Sequence, residues 1–298
     1  MYDIIILGAG PAGISAAIYA VSRGKKTLVL EKGQVGGLIG KVSTVTHYAG
    51  IVAGETGASF AARLKEQALA DGVEIRCEEV TAVDLEGEVK TVTTAQGSYQ
   101  APRVIVATGS SPRKLGIPGE SELAGRGMGM NAARDGEAYR GKNVYVVGGA
   151  DGAVKEALYL STLAREVTII HFEEQLGCIA QFRNKVAQTP NLKVRLGTRL
   201  GAVRGSECLE ELDLVSEADG SVETIRDSGC GVFVYAGTVP NTQLFTQLTL
   251  EWGYIPTGEN METALPGVYA VGDVRCKGVR QVATAVSDGT LAAIHAAR

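Results

Sequence analysis

Two segments read as strand, glycine-rich turn and helix, with GAGPAG at Gly8 to Gly13 and GGADGA at Gly148 to Ala153; Gly148 follows Gly8 by 140 residues. A turn of this kind constrains the fold because it works between a parallel strand and a helix, where it lets the backbone approach a diphosphate. The first is complete. Tyr2 to Leu7 reads as its strand and Ile14 to Arg23 as its helix. Gly8 permits the tight turn, Gly10 the close approach, and Gly13 close helix-strand packing, while the helix N-terminus that follows Pro11 and Ala12 supplies free N–H groups to an anion. Glu31, at the end of the strand Lys26 to Leu30, is placed to accept from a ribose hydroxyl, with Lys32 beside it.

The second turn keeps the frame and loses part of the pattern. Asn143 to Val147 reads as its strand, Val154 to Ala164 as its helix and Glu166 to His171 as the next strand. Gly148 and Gly149 open the turn, Ala150 replaces the glycine of closest approach and adds a methyl group there, and Asp151, Gly152 and Ala153 complete it. Beyond the next strand end, His171 orients a loop or ribose, Glu173 is placed to accept from a ribose with a free 2′-hydroxyl, and Phe172 to cover an aromatic ring.

Short β-patterned runs surround these units. Val73 to Ile75, Val80 to Asp84 and Val89 to Thr94 read as a β-meander before the strand Arg103 to Ala107; Leu192 to Ile225 reads as another before the strand Val232 to Ala236. Ser110 to Gly119, with two prolines, and Pro240-Asn241 read as linkers, and Gly267 to Asp273 rejoins the first half. The predicted class is α/β: two Rossmann-like dinucleotide-binding domains, the second inserted in the first, each with a β-meander. Residues 1–112 and 241–298 form the outer domain and 113–240 the inner one. A chain of 298 residues is long enough to bury a core in each.

Charge and cysteine usage narrow the partners. A net charge of −4 without long basic runs leaves no footprint for nucleic acid. No apolar run approaches the roughly 18 residues of a membrane span, and Met1 to Leu7 lacks the features of a signal peptide. A cytoplasmic protein without a transmembrane segment is expected, a peripheral membrane link being left open. Five cysteines with no CxxC support neither a zinc site nor a disulfide framework, and no metal is expected.

Across essentially its whole length the chain resembles the low-molecular-weight thioredoxin reductase family. The resemblance rests on GAGPAG, GGL at Gly36 to Leu38, ATG at Ala107 to Gly109, IPGE at Ile117 to Glu120, and VVGG at Val146 to Gly149. EALYL at Glu156 to Leu160, GTVPNT at Gly237 to Thr242, GVYAVGDVR at Gly267 to Arg275 and RQV at Arg280 to Val282 follow in the same order. It implies a homodimer with FAD in the outer domain. The first turn, Glu31, Lys32, Gly37, Leu38, Val80, Thr108, Gly109 and Gly272 would hold it, with Asp273 on the ribityl chain and Arg280, Gln281 and Val282 near the ring. A cation and a backbone donor there would stabilise charge on a reduced flavin. His47 stands where the family usually has a flavin-contacting asparagine, which implies a changed hydrogen bond.

Two departures alter the expected chemistry. The family's CxxC precedes an Asp-Gly pair, whereas here Asp135-Gly136 follows Asn131, Ala132, Ala133 and Arg134, which excludes thioredoxin reduction by that route. The family's His-Arg-Arg and a further arginine hold the 2′-phosphate of NADPH. Here the segment reads His171, Phe172, Glu173, Glu174, Gln175, Leu176, Gly177, and carboxylates repel a phosphate. Loss of both is similar to the diflavin-linked disulfide oxidoreductase branch of cyanobacteria, which implies a second FAD in the inner domain, two per chain, and a redox disulfide located elsewhere.

Because ligands of doubly wound folds sit beyond the carboxyl ends of strands, Cys276, three residues after Asp273, and Cys178, just after the loop Phe172 to Gly177, are the candidate redox pair. Cys77, Cys208 and Cys230 read as ordinary thiols. The implied activity exchanges electrons between that pair and FAD, serving a thiol/disulfide protein or a small thiol. Two other readings stay open: an NADH-linked flavin or quinone reductase without a cysteine centre, and a non-catalytic flavoprotein redox sensor.

Overall fold

Ile4, Ile5, Ile6 and Leu7 form β1 (Ile4–Leu7), and all four side chains are buried. A continuous apolar run buried on both faces is the signature of a central parallel strand with a layer on each side. The computed structural model describes residues 1–298 apart from Met130. From β1 the chain runs through α1 (Pro11–Val21), β2 (Thr27–Glu31), α2 (Gly57–Ala70), β3 (Glu74–Cys77), β4 (Val80–Asp84), β5 (Lys90–Thr94), β6 (Gly97–Ala101), β7 (Arg103–Val106) and β8 (Ser110–Pro112). There follow β9 (Met128–Gly129), α3 (Ala132–Asp135), β10 (Asn143–Val147), α4 (Asp151–Leu160), β11 (Glu166–Ile170), α5 (Ala180–Ala187) and β12 (Leu192–Arg195). The last elements are β13 (Thr198–Arg204), β14 (Glu211–Ser216), β15 (Val222–Arg226), β16 (Gly231–Val234), β17 (Thr238–Pro240), β18 (Val268–Ala270) and α6 (Val282–Ala296).

The chain divides into two compact units, Met1–Ser111 with Val239–Arg298, and Pro112–Thr238. The outer unit holds a parallel sheet in the order β18-β7-β1-β2-β3, the inner one a parallel sheet in the order β12-β11-β10-β16-β9. Each unit also has a three-stranded antiparallel sheet, β4-β5-β6 and β13-β14-β15. Side chains alternate across β1, so Ile4 and Ile6 join one core with α1 and α6, while Ile5 and Leu7 join another with Leu85 and Val92. β10 repeats the device: Val144 and Val146 pack with α4 and α5, Tyr145 and Val147 with Leu200, Leu212 and Leu214 of the ribbon. Each fully buried Ile or Leu contributes roughly 1.5–3 kcal/mol. Against α1, a Cβ on Gly289 of α6 would lie 2.1 Å from the Ala12 carbonyl oxygen, so this close helix contact needs a residue without a side chain.

The meander boundaries differ from the sequence reading. The run at Val73 to Ile75 belongs to β3, which pairs parallel with β2, and Leu192 opens β12, which pairs parallel with β11. A short apolar run carries no sign of which strand it will pair with, and only the tertiary register assigns it to a sheet. The strand β6, with its polar, exposed sequence, was not anticipated, nor were α5 and α6. The inner turn's helix starts at Asp151, three residues before the predicted Val154. Among the described residues no helix is long and apolar enough to cross a membrane.

Glu251 and Tyr254 exchange backbone hydrogen bonds of 2.8 and 2.9 Å around a two-residue turn in which Trp252 has φ 53° and Gly253 φ 85°. Turns with two left-handed residues favour Asn-Gly, and a side chain such as Trp is strained there by about 1–2 kcal/mol. Trp252 is 96% exposed and adds little packing in return. Trp252→Asn is therefore expected to stabilise the protein by roughly 1 kcal/mol, seen as a higher Tm in far-UV circular dichroism; a lower Tm would contradict this account.

Candidate functional site

In the outer unit the turn between β1 and α1 separates its glycines by role. Gly8 has φ +107°, and a Cβ there would lie 2.4 Å from the Ala107 carbonyl oxygen; one on Gly13 would lie 2.0 Å from the Gly8 oxygen. Nothing stands within 4 Å of a Cβ on Gly10, the helix N-cap, which has no side-chain cap bond. Open space at a helix N-terminus is where a diphosphate comes close to backbone N–H groups. Glu31 braces the turn, accepting from the Ala9 and Gly33 amides, each at 2.8 Å. With Gly8, Lys32, Val80 and Thr108 it lines a cleft of about 290 Å³.

Other predicted contacts reach the same turn through the backbone. A Cβ on Gly37 would lie 3.3 Å from the Gly10 Cα, and one on Gly272 3.0 Å from the Ala12 Cβ. Gly109 accepts from the Asn241 amide at 3.0 Å. Thr108 Oγ1 donates to the Asn241 carbonyl and Asn241 Nδ2 to the Thr108 carbonyl, both at 2.8 Å. Asn241, a cleft residue that sequence reasoning treated only as linker, was signalled by its place in GTVPNT. Leu38 immediately precedes the short 3-10 turn Ile39–Lys41. His47 is exposed, lies 3.0 Å from the Thr46 hydroxyl, and does not line the cleft.

Burial pushes the Asp273 carboxyl up, with Lys277 and Arg280 opposing the shift. The Arg280 guanidinium stacks 4.1 Å above the Tyr254 ring, and its buried Nε has no hydrogen-bond partner among the described residues. Gln281 caps α6 and Val282 begins it.

The inner turn is built alike with different contents. Gly148 has φ +131°, and a Cβ there would lie 2.4 Å from the Tyr235 carbonyl oxygen. Ala150, the N-cap of α4, has extended backbone (φ −83°, ψ 174°), so its methyl group sits there without strain. Asp151 accepts from the Ile179 amide at 2.8 Å and ties the helix start to the loop after β11. Gly148, Gly149, Ala150, His171, Phe172 and Glu173 line one cleft of about 530 Å³, joined by Leu115, Thr198, Arg199 and Tyr235. Asp151, Gly152 and Ala153 are not in its lining, and Ala153 is core.

His171 lies against the turn, since a Cβ on Gly149 would lie 2.3 Å from its Cδ2. Its Nε2 is 3.1 Å from Glu173 Oε2, and its buried Nδ1 has no partner among the described residues. Phe172, 52% exposed, meets the His171 ring edge-on at 5.1 Å and the Arg199 guanidinium at 5.3 Å. Glu217 grips Arg199 through both carboxylate oxygens. Arg199 was missed because it arrives from β13, far from any motif.

The cysteines are free. Cys178, expected on a ligand-facing edge, is instead 2% exposed in the core containing Ala153, Ile169 and Phe182, because the chain turns inward there to begin α5. Desolvation raises its thiol, and Asp151 adds to the shift. Cys276 is half-buried; desolvation and then Glu251 raise its thiol, which lies 3.5 Å from the Glu251 carbonyl oxygen. Neither environment activates a thiolate.

Gly10→Ala is expected to leave the unfolding free energy of the ligand-free protein within about 0.5 kcal/mol of wild type, while Gly13→Ala costs more than roughly 2 kcal/mol through its clash with the Gly8 carbonyl. Denaturant titrations of both variants check the split.

The family model for pyridine nucleotide-disulphide oxidoreductases matches residues 2–289. The chain is 42% identical to thioredoxin reductase of Treponema pallidum over 99% of its length and 96% of that protein. Among solved structures it is similar to thioredoxin reductase of Lactococcus lactis in its FR conformation (TM-score 0.95, 33% identity, 99% and 98% of the two chains). It is also similar to a ferredoxin-flavin thioredoxin reductase from Clostridium acetobutylicum (TM-score 0.54, 30% identity, 99% and 96% covered). A match over nearly the whole chain, on a fold with both glycine turns in place, shows that this protein belongs to the pyridine nucleotide-disulphide oxidoreductases, within their thioredoxin reductase family.

Proposed function

We propose that this chain is a flavin-dependent dithiol/disulfide oxidoreductase. It binds FAD in its outer unit and, in the inner unit, an adenine dinucleotide with a free 2′-hydroxyl instead of NADPH, the ligand being a second FAD. The observation that carries this reading is the Glu173 carboxylate on the rim of the inner cleft, held 3.1 Å from His171 Nε2. A 2′-phosphate, with a charge of about −1.5 to −2, would be repelled there, whereas a ribose hydroxyl finds an acceptor. Phe172, exposed in the same cleft, offers a face to an aromatic ring.

The outer unit fits FAD by its own features. Space is open at Gly10, Glu31 supplies a carboxylate on the cleft, Asp273 a half-buried carboxyl, and Arg280 a buried Nε still lacking a partner among the described residues. Bound there, FAD supplies two-electron chemistry. Asp273 would hold the ribityl hydroxyls, and Arg280 would place positive charge beside the ring, stabilising the reduced form. A donor other than NADPH is also supported by the Clostridium acetobutylicum relative, whose name couples ferredoxin to flavin.

In this reading Cys276 and Cys178 form the redox pair, which requires the Cys178 loop to open. The burial of Cys178 favours a second reading, an NADH-linked flavin or quinone reductase without a cysteine redox centre.

Two FAD released per denatured chain, with flavin bleaching by dithiol and not by NADPH, is the expected result. One FAD per chain overturns the second-flavin assignment, and bleaching by NADPH overturns the reading of Glu173. The double variant Phe172→Arg, Glu173→Arg is expected to raise NADPH affinity by roughly tenfold or more. If Cys276→Ser leaves dithiol bleaching unchanged, the second reading stands in place of the cysteine pair.

A further inference from the structure

We propose that Asp288 is a positioning residue of the outer site: it holds the Lys277 ammonium away from Asp273, so that Asp273 keeps its acceptor capacity for the cofactor's hydroxyl groups. This rests on the reading that the outer unit binds FAD. Asp288, 5% exposed on α6, is a hub for the segment that carries Asp273. Its Oδ2 accepts from the Gly272 amide at 3.0 Å, from Arg275 Nε at 3.0 Å and from Lys277 Nζ at 2.9 Å, and its Oδ1 from Arg275 Nη2 at 3.2 Å.

The Lys277 side chain is only 7% exposed, so its ammonium cannot turn to solvent. A buried ammonium needs a carboxylate, and two stand within reach. It donates to Asp288 and, at 3.2 Å, to Thr284 Oγ1, but stays 4.0 Å from Asp273 Oδ1, beyond hydrogen-bond contact. At that distance Lys277 still helps Asp273 ionise against the desolvation that raises its carboxyl, while leaving its lone pairs uncommitted. Arg275 is unsuited to replace it, because its guanidinium is spread over Asp288, Thr257 Oγ1 at 2.9 Å and the Cys276 carbonyl at 3.3 Å. Without the Asp288 charge, the remaining carboxylate for Lys277 is Asp273, four residues back in sequence. Closing about one ångström would make a charge-assisted bond that competes directly with the ligand.

FAD affinity of the deflavinated protein, followed by flavin fluorescence, tests this, with the Tm of each ligand-free variant measured alongside. Asp288→Asn is expected to weaken FAD binding roughly tenfold, the scale of one charge-assisted hydrogen bond. Adding Lys277→Met should restore affinity to within about threefold of wild type, whereas adding Lys277→Arg, which keeps the charge, should not. The two double variants share any folding defect of Asp288→Asn, so their difference reads the charge competition alone. Equal affinities for the two doubles, or wild-type affinity in Asp288→Asn, overturn the inference. A wild-type protein that binds no FAD overturns the reading beneath it.

Discussion

The contact between Gly13 and the Gly8 carbonyl governs the outer unit. With a Cβ at Gly13 only 2.0 Å from that oxygen, α1 could not lie as close to the end of β1, and Gly10 would not be left facing open space. The same closeness continues across α1, where Gly289 lets α6 approach Ala12. From α6 come Asp288 and, at its start, Gln281 and Val282, so the packing of two helices through glycine also determines where the charged segment Gly272 to Lys277 is held.

The inner unit surrounds the same frame with different side chains. Gly148 repeats the turn of Gly8, with its Cβ position blocked by a carbonyl of the neighbouring strand in both cases. Gly149, however, is covered by the His171 ring, and Phe172, Glu173 and Arg199 occupy the cleft beside it. A strand-turn-helix frame is set by backbone packing, whereas the ligand is selected by a few side chains on the loops around it. The same frame can therefore carry different side chains on its loops.

Some of the site was legible because its signals are local. Gly8 and Gly13 act on neighbouring backbone atoms, so spacing alone revealed the tight turn and the close packing, whereas the bracing of the turn by Glu31 through the Ala9 amide was not read from it. Arg199 and Asp288 were not legible. Arg199 meets Phe172 across a gap of 27 sequence positions and comes from a ribbon strand without a motif. Asp288 gathers partners from Gly272, Arg275 and Lys277, and nothing in a helical pattern distinguishes such an aspartate from a solvated one. The burial of Cys178 was not legible either: its place after a strand end pointed to a ligand-facing edge, but the start of α5 turns its side chain into the core.

By itself, the sequence determined the α/β class and the two strand-turn-helix units, because glycine spacing and buried apolar runs act over a few residues. Its absence of CxxC and its carboxylates after His171 likewise follow from residue identity alone. The tertiary structure decided which sheet β3 and β12 join, which cysteines are shielded, and which carboxylate Lys277 chooses. Those outcomes depend on strand register, burial and the competition between two charges brought together from distant parts of the chain, none of which a linear pattern records.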